Sequence, residues 1–499
     1  MQKRVMWRIV IASPLCVVGV VLLGLLYPLP AQATNHAIVT SATCATNGDG
    51  TAWSCATSNG GPGAFVGVPA TLTRGDIYYL CDGNYGNHLS LSTAASGTTT
   101  IELRKAQSYD FGGLSGWSTA TCGSRQAVWQ WNTTKQGIVS FGGGGYFTLN
   151  GNASSTDPIG CGGVLLNPGG SQTAAAPNPS QCGIKIDNST CTSTSLDYCA
   201  GGNGVMGGGT NIVWKYVEWE GSDVNANEPY FWLGSLGASG NSVTHSYLHA
   251  FGTTCWTYGF NNATFSYNYV WGTNDSSANH GECLQDTGSD ANMVIEYNVF
   301  RDTITNGDLV FVDPSPGTHS NFKFIGNTIW CTSSSGCRHN DGIVACINSS
   351  QTCTGFIVAQ NTVINCSVAC GLNSTNAGSY TWVNNLYYNS SVSYTLNGSS
   401  FTCSNNSYVK SGTPGSCAND VNANSSPPLP FANWNSGSAA LTTTAALASE
   451  NADWNSRTTT SLDPLHDAAG NVFTTDRGAY QFGGATGPGT PTNLVATPH

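Results

Sequence analysis

Apolar and polar residues in the second half of the chain alternate in short runs around a recurring asparagine. The runs are Ser266-Tyr267-Asn268-Tyr269-Val270, Glu296-Tyr297-Asn298-Val299-Phe300, Ile325-Gly326-Asn327-Thr328-Ile329, Ala359-Gln360-Asn361-Thr362-Val363 and Val383-Asn384-Asn385-Leu386-Tyr387, and their asparagines lie 30, 29, 34 and 24 residues apart. Two earlier copies fit with Ser246 and Val217 in the asparagine place. A unit of this length cannot bury its own apolar face and must stack on the next, and units made of short strands predict an all-β solenoid, a β-helix. Two places after the asparagine come Trp219, Leu248, Val270, Phe300, Ile329, Val363 and Tyr387, a column predicted to point inward. The asparagines are predicted to stack inside as a ladder, amide on amide, at steps of about 4.8 Å. Three places after it, Glu220, His249, Trp271, Arg301 and Trp330 alternate outward. So do Glu218, Tyr247, Tyr269 and Val299, one place after it.

Upstream, Thr73–Leu80 followed by Asp82-Gly83-Asn84-Tyr85 predicts an opening coil. Short strands are expected at Thr100–Leu103, Ala127–Trp131, Tyr146–Leu149 and Gly183–Ile186, with a surface loop at Pro168–Gln181 and regular coils from about Ile212 to Tyr408. Ser411–Ser438 is again rich in Pro, Asn and Ser, and Ala439–Ala448 predicts one short helix. Residues 34–482 are expected to form one solenoid domain with an N-terminal cap and a closing segment. Gly483–Pro491 reads as a linker, and Thr492–Thr497 as the start of a truncated fibronectin-like module. Residues 1–33 read as a secretory signal: Lys3, Arg4 and Arg8, an apolar stretch from Ile9 to Leu26, and a cleavage pattern Ala31-Gln32-Ala33. The apolar stretch is long, so an uncleaved membrane anchor is the rival reading.

Composition agrees with an all-β chain with many tight turns: 61 glycines in 499 residues, 40% hydrophobic and only 9% charged. A net charge of −11 with 16 Lys+Arg argues against nucleic acid or an anionic membrane as partner, and a secreted monomer is expected. Of 19 cysteines, Cys16 lies in the signal. The even remainder of a secreted chain favours disulfides. Neighbours in sequence are expected to pair: Cys44/Cys55, Cys191/Cys199, Cys331/Cys337, Cys346/Cys353, Cys366/Cys370 and Cys403/Cys417. Cys255 and Cys283 could join adjacent coils. Zinc is the alternative, but no CxxC pair occurs in the chain.

The strand-Asn-strand unit, the opening Arg74-Gly75-Asp76 and the late Asp476-Arg477-Gly478-Ala479-Tyr480 resemble secreted right-handed parallel β-helix proteins of the pectate-lyase-like superfamily, over roughly residues 44 to 482. The resemblance implies a right-handed coil. It also implies a substrate groove lined by the strand that precedes each asparagine by 12 to 20 residues, and by the loop feeding that strand. It leaves the reaction open, because this fold hosts lyases, hydrolases and non-enzymes. The paired-Asp and Arg-Ile-Lys motifs of polygalacturonases and the Arg-Ser-Pro-like segment of pectate lyases are absent.

Those loops and strands hold Asp223 and Glu228, then Asp275, His280, Glu282 and Asp286, then Asp308 and Asp313, then Arg338, His339 and Asp341. Alternation puts His280, Glu282 and Asp286 on one face, taken as outward because Cys283 then points in, although Leu284 fits that face badly. Carboxylates on adjacent coils would stand about 5 Å apart, suiting a Ca²⁺ site or a retaining pair, and about 10 Å across two coils, suiting an inverting pair. A lyase instead needs a base for the proton α to a uronate carboxylate and a cation to neutralise that carboxylate. Catalytic candidates are therefore His280, Glu282, Asp308, Arg338 and His339, with His280 or His339 as base. Ca²⁺ ligand candidates are Glu282, Asp286, Asp308 and Asp341, and substrate-binding candidates are Trp271, Arg301, Trp330 and His249. The bland alternative is that Asp275, Asp302 and Asp313 shape turns. Three functions stay open: Ca²⁺-assisted elimination of a uronate-containing polysaccharide, hydrolysis by paired carboxylates, and glycan binding without catalysis.

Overall fold

The computed structural model describes residues 33–130 and, between 138 and 423, all but 143, 152–160, 162–181, 191–204, 207–208, 222–237, 252–255, 258–259, 274–282, 287, 304–308, 313–316, 332–341, 347–350, 368–369, 375–377, 397–399, 405, 410, 412–416 and 419. The signal segment, the helix expected at 439–448, the closing segment and the C-terminal linker lie outside the described residues. Within them the elements are strands, and the strands pair in parallel.

Each regular coil visits three sheets in turn. Among the described residues, sheet 1 has 14 strands and includes Ser242–Thr244, Thr264–Ser266 and Val294–Glu296. Sheet 2 has 12 and includes Val217–Glu220, Tyr247–Phe251, Tyr269–Thr273 and Val299–Arg301. The third place is taken by a three-stranded stretch early in the chain and a six-stranded stretch later, here called sheet 3, which includes Leu284–Asp286 and Val310–Val312. Neighbours within a sheet come from successive coils, so every connection is a parallel crossover, and such crossovers take the right hand. The chain is a right-handed parallel β-helix.

The interior is a set of vertical columns. On sheet 2, Trp219, Leu248, Val270, Phe300, Ile329, Val363 and Tyr387 pair residue on residue and are fully buried, as the repeat predicts. Sheet 1 contributes Trp214, Val243, Phe265, Ile295, Phe324, Val358 and Trp382. Sheet 3 contributes Trp256, Leu284, Val310, Val344 and Leu372. Burying such side chains contributes about 1.5–3 kcal/mol each.

The corner from sheet 1 to sheet 2 is the most regular. There the backbone turns on one left-handed residue per coil: Tyr216, His245, Tyr267, Tyr297, Gly326, Gln360 and Asn384, with φ between 50° and 64°. The next residue is the repeat asparagine. Asn298 Nδ2 donates to Asn327 Oδ1 (2.9 Å), Asn327 to Asn361 (3.2 Å), Asn361 to Asn385 (3.0 Å) and Asn385 to Asn406 (3.1 Å), all buried. Each Oδ1 also accepts the backbone N–H of the asparagine one coil earlier, as in Asn298 N to Asn327 Oδ1 at 3.0 Å. Each Nδ2 also reaches a sheet-1 carbonyl, as in Asn327 to Ile295 O at 2.9 Å. Ser246 takes the place in the earlier coil, receiving Val217 N–H. In the earlier coils the left-handed residues carry rings that pack coil on coil: Tyr216 tilted against His245, His245 stacked on Tyr267 (4.8 Å), Tyr267 on Tyr297 (5.2 Å). The stack stops at Gly326, where a Cβ would lie 2.7 Å from the Tyr297 ring.

At the N-terminal end the Arg74 guanidinium donates to the carbonyls of Ala94, Gly145 and Tyr146, so the Arg-Gly-Asp segment joins coils rather than facing outward. Asp76 accepts from Thr34 N–H and bonds His36. Lys105 is wholly buried, its charge met by Asp82 at 2.7 Å. Local disulfides occur as expected at Cys44–Cys55, Cys346–Cys353, Cys366–Cys370 and Cys403–Cys417. Cys81–Cys122 and Cys161–Cys182 instead join residues 41 and 21 apart. Cys283 and Cys331 are also disulfide-bonded.

Two expectations follow. Asn327→Ala leaves the Asn298 N–H, the Asn298 amide and the Ile295 carbonyl without their partner inside the core. It should cost about 3 kcal/mol or more, read as a shift of the denaturant midpoint. His245 is held down to about 4, first by burial and then by the Lys215 charge. Its folded value lies below its unfolded one, so the stability it contributes is full above about 6.5 and is lost as pH falls toward 4. His245→Phe should flatten that part of the melting-temperature profile.

Candidate functional site

The outward residues of sheet 2 form two rows. Strand pairing places Asp187, Glu220, His249, Trp271, Arg301 and Trp330 side by side, each on the next coil. The second row runs Lys185, Glu218, Tyr247, Tyr269, Val299 and Thr328. The two rows differ in exposure. Glu218, Tyr247, Tyr269 and Val299 are buried, whereas Trp271 is 37% exposed. The tyrosines of the second row are thus packed over, and among the described rings of these rows Trp271 faces solvent broadly.

At the N-terminal end of the rows four charged side chains and a histidine converge. The Lys185 ammonium donates to Glu220 Oε2 and lies 3.6 Å from Asp187 and 3.7 Å from Glu218. Glu218 Oε1 bonds His249 Nε2 (3.0 Å), and its Oε2 accepts from the Gln126 amide (2.6 Å). The Tyr247 ring stacks on His249 at 4.2 Å. Burial alone would raise the Glu218 pKa, but the bonds from His249 and Gln126 and the Lys185 charge bring it below the ordinary value. Burial would lower Lys185, yet Glu220, Glu218 and Asp187 raise it overall, so it is a fixed cation.

Further along, the Arg301 guanidinium lies over the Trp271 ring, 5.1 Å from its centre. It donates to Tyr269 Oη and Asp302 Oδ2, both at 3.4 Å. Burial would lower its pKa, while Tyr269 and Asp302 raise it. The result is a cation resting on an aromatic face, with the indole half open.

Glu218, Glu220 and His249 offer ligand atoms within 4.8 Å of one another, an acidic/His group that could be asked to hold a metal. The arrangement does not fit Ca²⁺. The Lys185 ammonium already stands among the carboxylates, and Ca²⁺ takes six to eight oxygens, roughly, with no cation beside them.

Of the residues expected from the sequence, His249, Trp271 and Arg301 share one row, and the backbone of Trp330 continues it. His280, Glu282, Asp308, Arg338, His339 and Asp341 lie outside the described residues. Asp286 is 1% exposed and faces inward, a correction to the outward face assigned to it. The reason is Leu284: it enters the core between Trp256 and Val310, and alternation carries Asp286 in with it. There Asp286 bonds His319 Nδ1 at 2.7 Å. Lys185, Asp187 and Gln126 were not anticipated. Their coils lack the asparagine, so the alignment that found the row had no anchor there.

No protein-family model matches the chain, and no curated protein matches it. Among solved structures the chain is similar to pectate lyase Pel9A, at 11% identity and a TM-score of 0.41, over 81% of this chain and 84% of that one. It is also similar to a mannuronic acid specific polysaccharide family 6 lyase from human gut microbiota, at 13% identity and a TM-score of 0.35, over 70% and 78%. At these values the likeness concerns the course of the backbone.

Lys185→Met should remove the cation around which these three carboxylates gather. The variant should melt lower than the parent and regain more of its melting temperature from added Ca²⁺ than the parent gains.

Proposed function

We propose that the protein is a secreted enzyme that cleaves glycosidic bonds in an extracellular polysaccharide, by elimination on a uronate-containing chain. The observation that carries this reading is the Trp271–Arg301 pair on the sheet-2 face. A half-open indole suits the apolar face of a sugar ring, and a guanidinium beside it suits a carboxylate on that sugar. The pair sits where sheet-2 strands end, and the segments that follow in sequence, 274–282, 304–308 and 332–341, contain the remaining candidates.

In this reading His280 or His339 removes the proton on the carbon next to the uronate carboxylate. The bond to the leaving sugar oxygen breaks as a carbon–carbon double bond forms, and the leaving oxygen takes up a proton from solvent. Arg338 and Arg301 contact carboxylates. Glu282, Asp308 and Asp341 are the groups that would hold Ca²⁺, whose chemistry is to neutralise the uronate carboxylate. Asp286 is no longer among them, because it is engaged inside the coil.

The test is a screen of the mature chain on pectic, alginate, glycosaminoglycan and neutral plant polysaccharides, with Ca²⁺ and with chelator. Ultraviolet absorbance of an unsaturated uronate and new reducing ends are read together. Absorbance is expected. Reducing ends without it mean a hydrolase, and silence in both channels means a binding protein. On the active substrate, Trp271→Ala and Arg301→Gln should each raise KM about tenfold, the value of one sugar–aromatic or charge contact, with little change in kcat.

A further inference from the structure

Among the described residues, the interior holds a cluster of two carboxylates and a histidine that the proposed chemistry does not use. Asp286 ends a strand of sheet 3, Asp290 follows in the corner leading to sheet 1, and His319 lies on the next coil in the strand Gly317–Ser320. Their exposures are 1%, 3% and 0%. Asp286 Oδ2 receives His319 Nδ1 at 2.7 Å, and Asp286 Oδ1 receives the Gly288 N–H at 3.0 Å. Asp290 Oδ2 receives the Phe260 N–H from the preceding coil at 3.3 Å, and its side chain is hydrogen-bonded to Asp286. Three successive coils are thus tied through two carboxylates.

Two carboxylates cannot share a hydrogen bond unless one of them carries a proton. Asp286 already accepts from His319 Nδ1 and from the Gly288 N–H, so the proton between the acids sits on Asp290. The direction agrees: Asp290 is raised to about 8, by burial first and then by the Asp286 charge and hydrogen bond. Among the described residues, Asp286 is the ionisable group acting on Asp290, and His319 is the one bonded to Asp286.

We propose that Asp286, Asp290 and His319 form a buried, proton-dependent staple that pins sheet 3 to the coils on either side while Asp290 is protonated, and that alkaline pH releases it. Losing the proton turns an acid–carboxylate hydrogen bond into two buried like charges. The strand it pins is Leu284–Asp286, so the staple would set an upper pH limit on the order of that strand.

The sign can be worked through. The folded value of Asp290 lies above the unfolded one, so its stabilisation is complete below about 4 and is lost as pH rises through about 8. Below pH 6.5 or so His245 acts in the opposite sense, which leaves the window from about 6.5 to 8 to Asp290.

Hydrogen exchange of the mature, disulfide-intact chain tests this, corrected for intrinsic rates and read at residues 283–290 and 317–320. In the parent the local opening constant should rise by up to about tenfold per pH unit from 6.5 to 8 and level off above that. Asp290→Asn keeps a donor toward Asp286 and an acceptor for Phe260 at every pH, and its curve should be flat. A flat parent curve overturns the proposal whatever the variant does. So does an Asp290→Asn curve that follows the parent.

Discussion

The β-helix depends on a single recurring hydrogen-bond arrangement, the asparagine buried at the corner between sheets 1 and 2. Turning the backbone through that corner requires a left-handed residue, which costs roughly 1–2 kcal/mol for a residue bearing a side chain, and it strands polar backbone groups inside an apolar core. The asparagine amide resolves the second difficulty in full. Its oxygen accepts both a backbone N–H and a side-chain N–H from the coil before, and its nitrogen reaches a sheet-1 carbonyl. A shorter or apolar side chain would leave several of these groups unpaired at once.

Because the corner holds each coil in the same register, positions counted from the asparagine keep their meaning on sheet 2. This is why residues from five or six separate coils can act as one surface. Asp187, Glu220, His249, Trp271 and Arg301 are distant in sequence and adjacent in space. At one end of the row three carboxylates gather around Lys185. At the other a guanidinium rests on an indole with room beside it. A ligand would meet an acidic cluster engaged by a lysine and an open aromatic step on the same face.

Much of this was legible in the sequence, for physical reasons. The two-residue alternation around a fixed asparagine determines which side chains point in, and so the inward column and the row through Trp271 and Arg301 could be read directly. Which part of the chain meets that row could not, because it comes from far away in sequence: Gln126 meets Glu218 from 92 residues away. Sheet 3 was ambiguous for another reason. Its strands are two or three residues long and have no asparagine to count from, so adjacent Cys283 and Leu284 supported either register, and Asp286 was assigned to the wrong side. The disulfide Cys81–Cys122 was missed because proximity in sequence is a poor guide when a full coil separates partners in space.

The amide column also has a sense. Every rung donates toward the C-terminus and accepts from the N-terminus, so any two rungs are interchangeable and a coil duplicated within the run would find a donor on one side and an acceptor on the other. Among the described residues the column changes at Asn406, whose Nδ2 donates to Asp420 Oδ1, and an ionised carboxylate has no side-chain amide hydrogen to hand on. The copy number of this solenoid can therefore grow from within the run of asparagines, whereas a coil placed beyond Asp420 would receive no side-chain amide hydrogen from it.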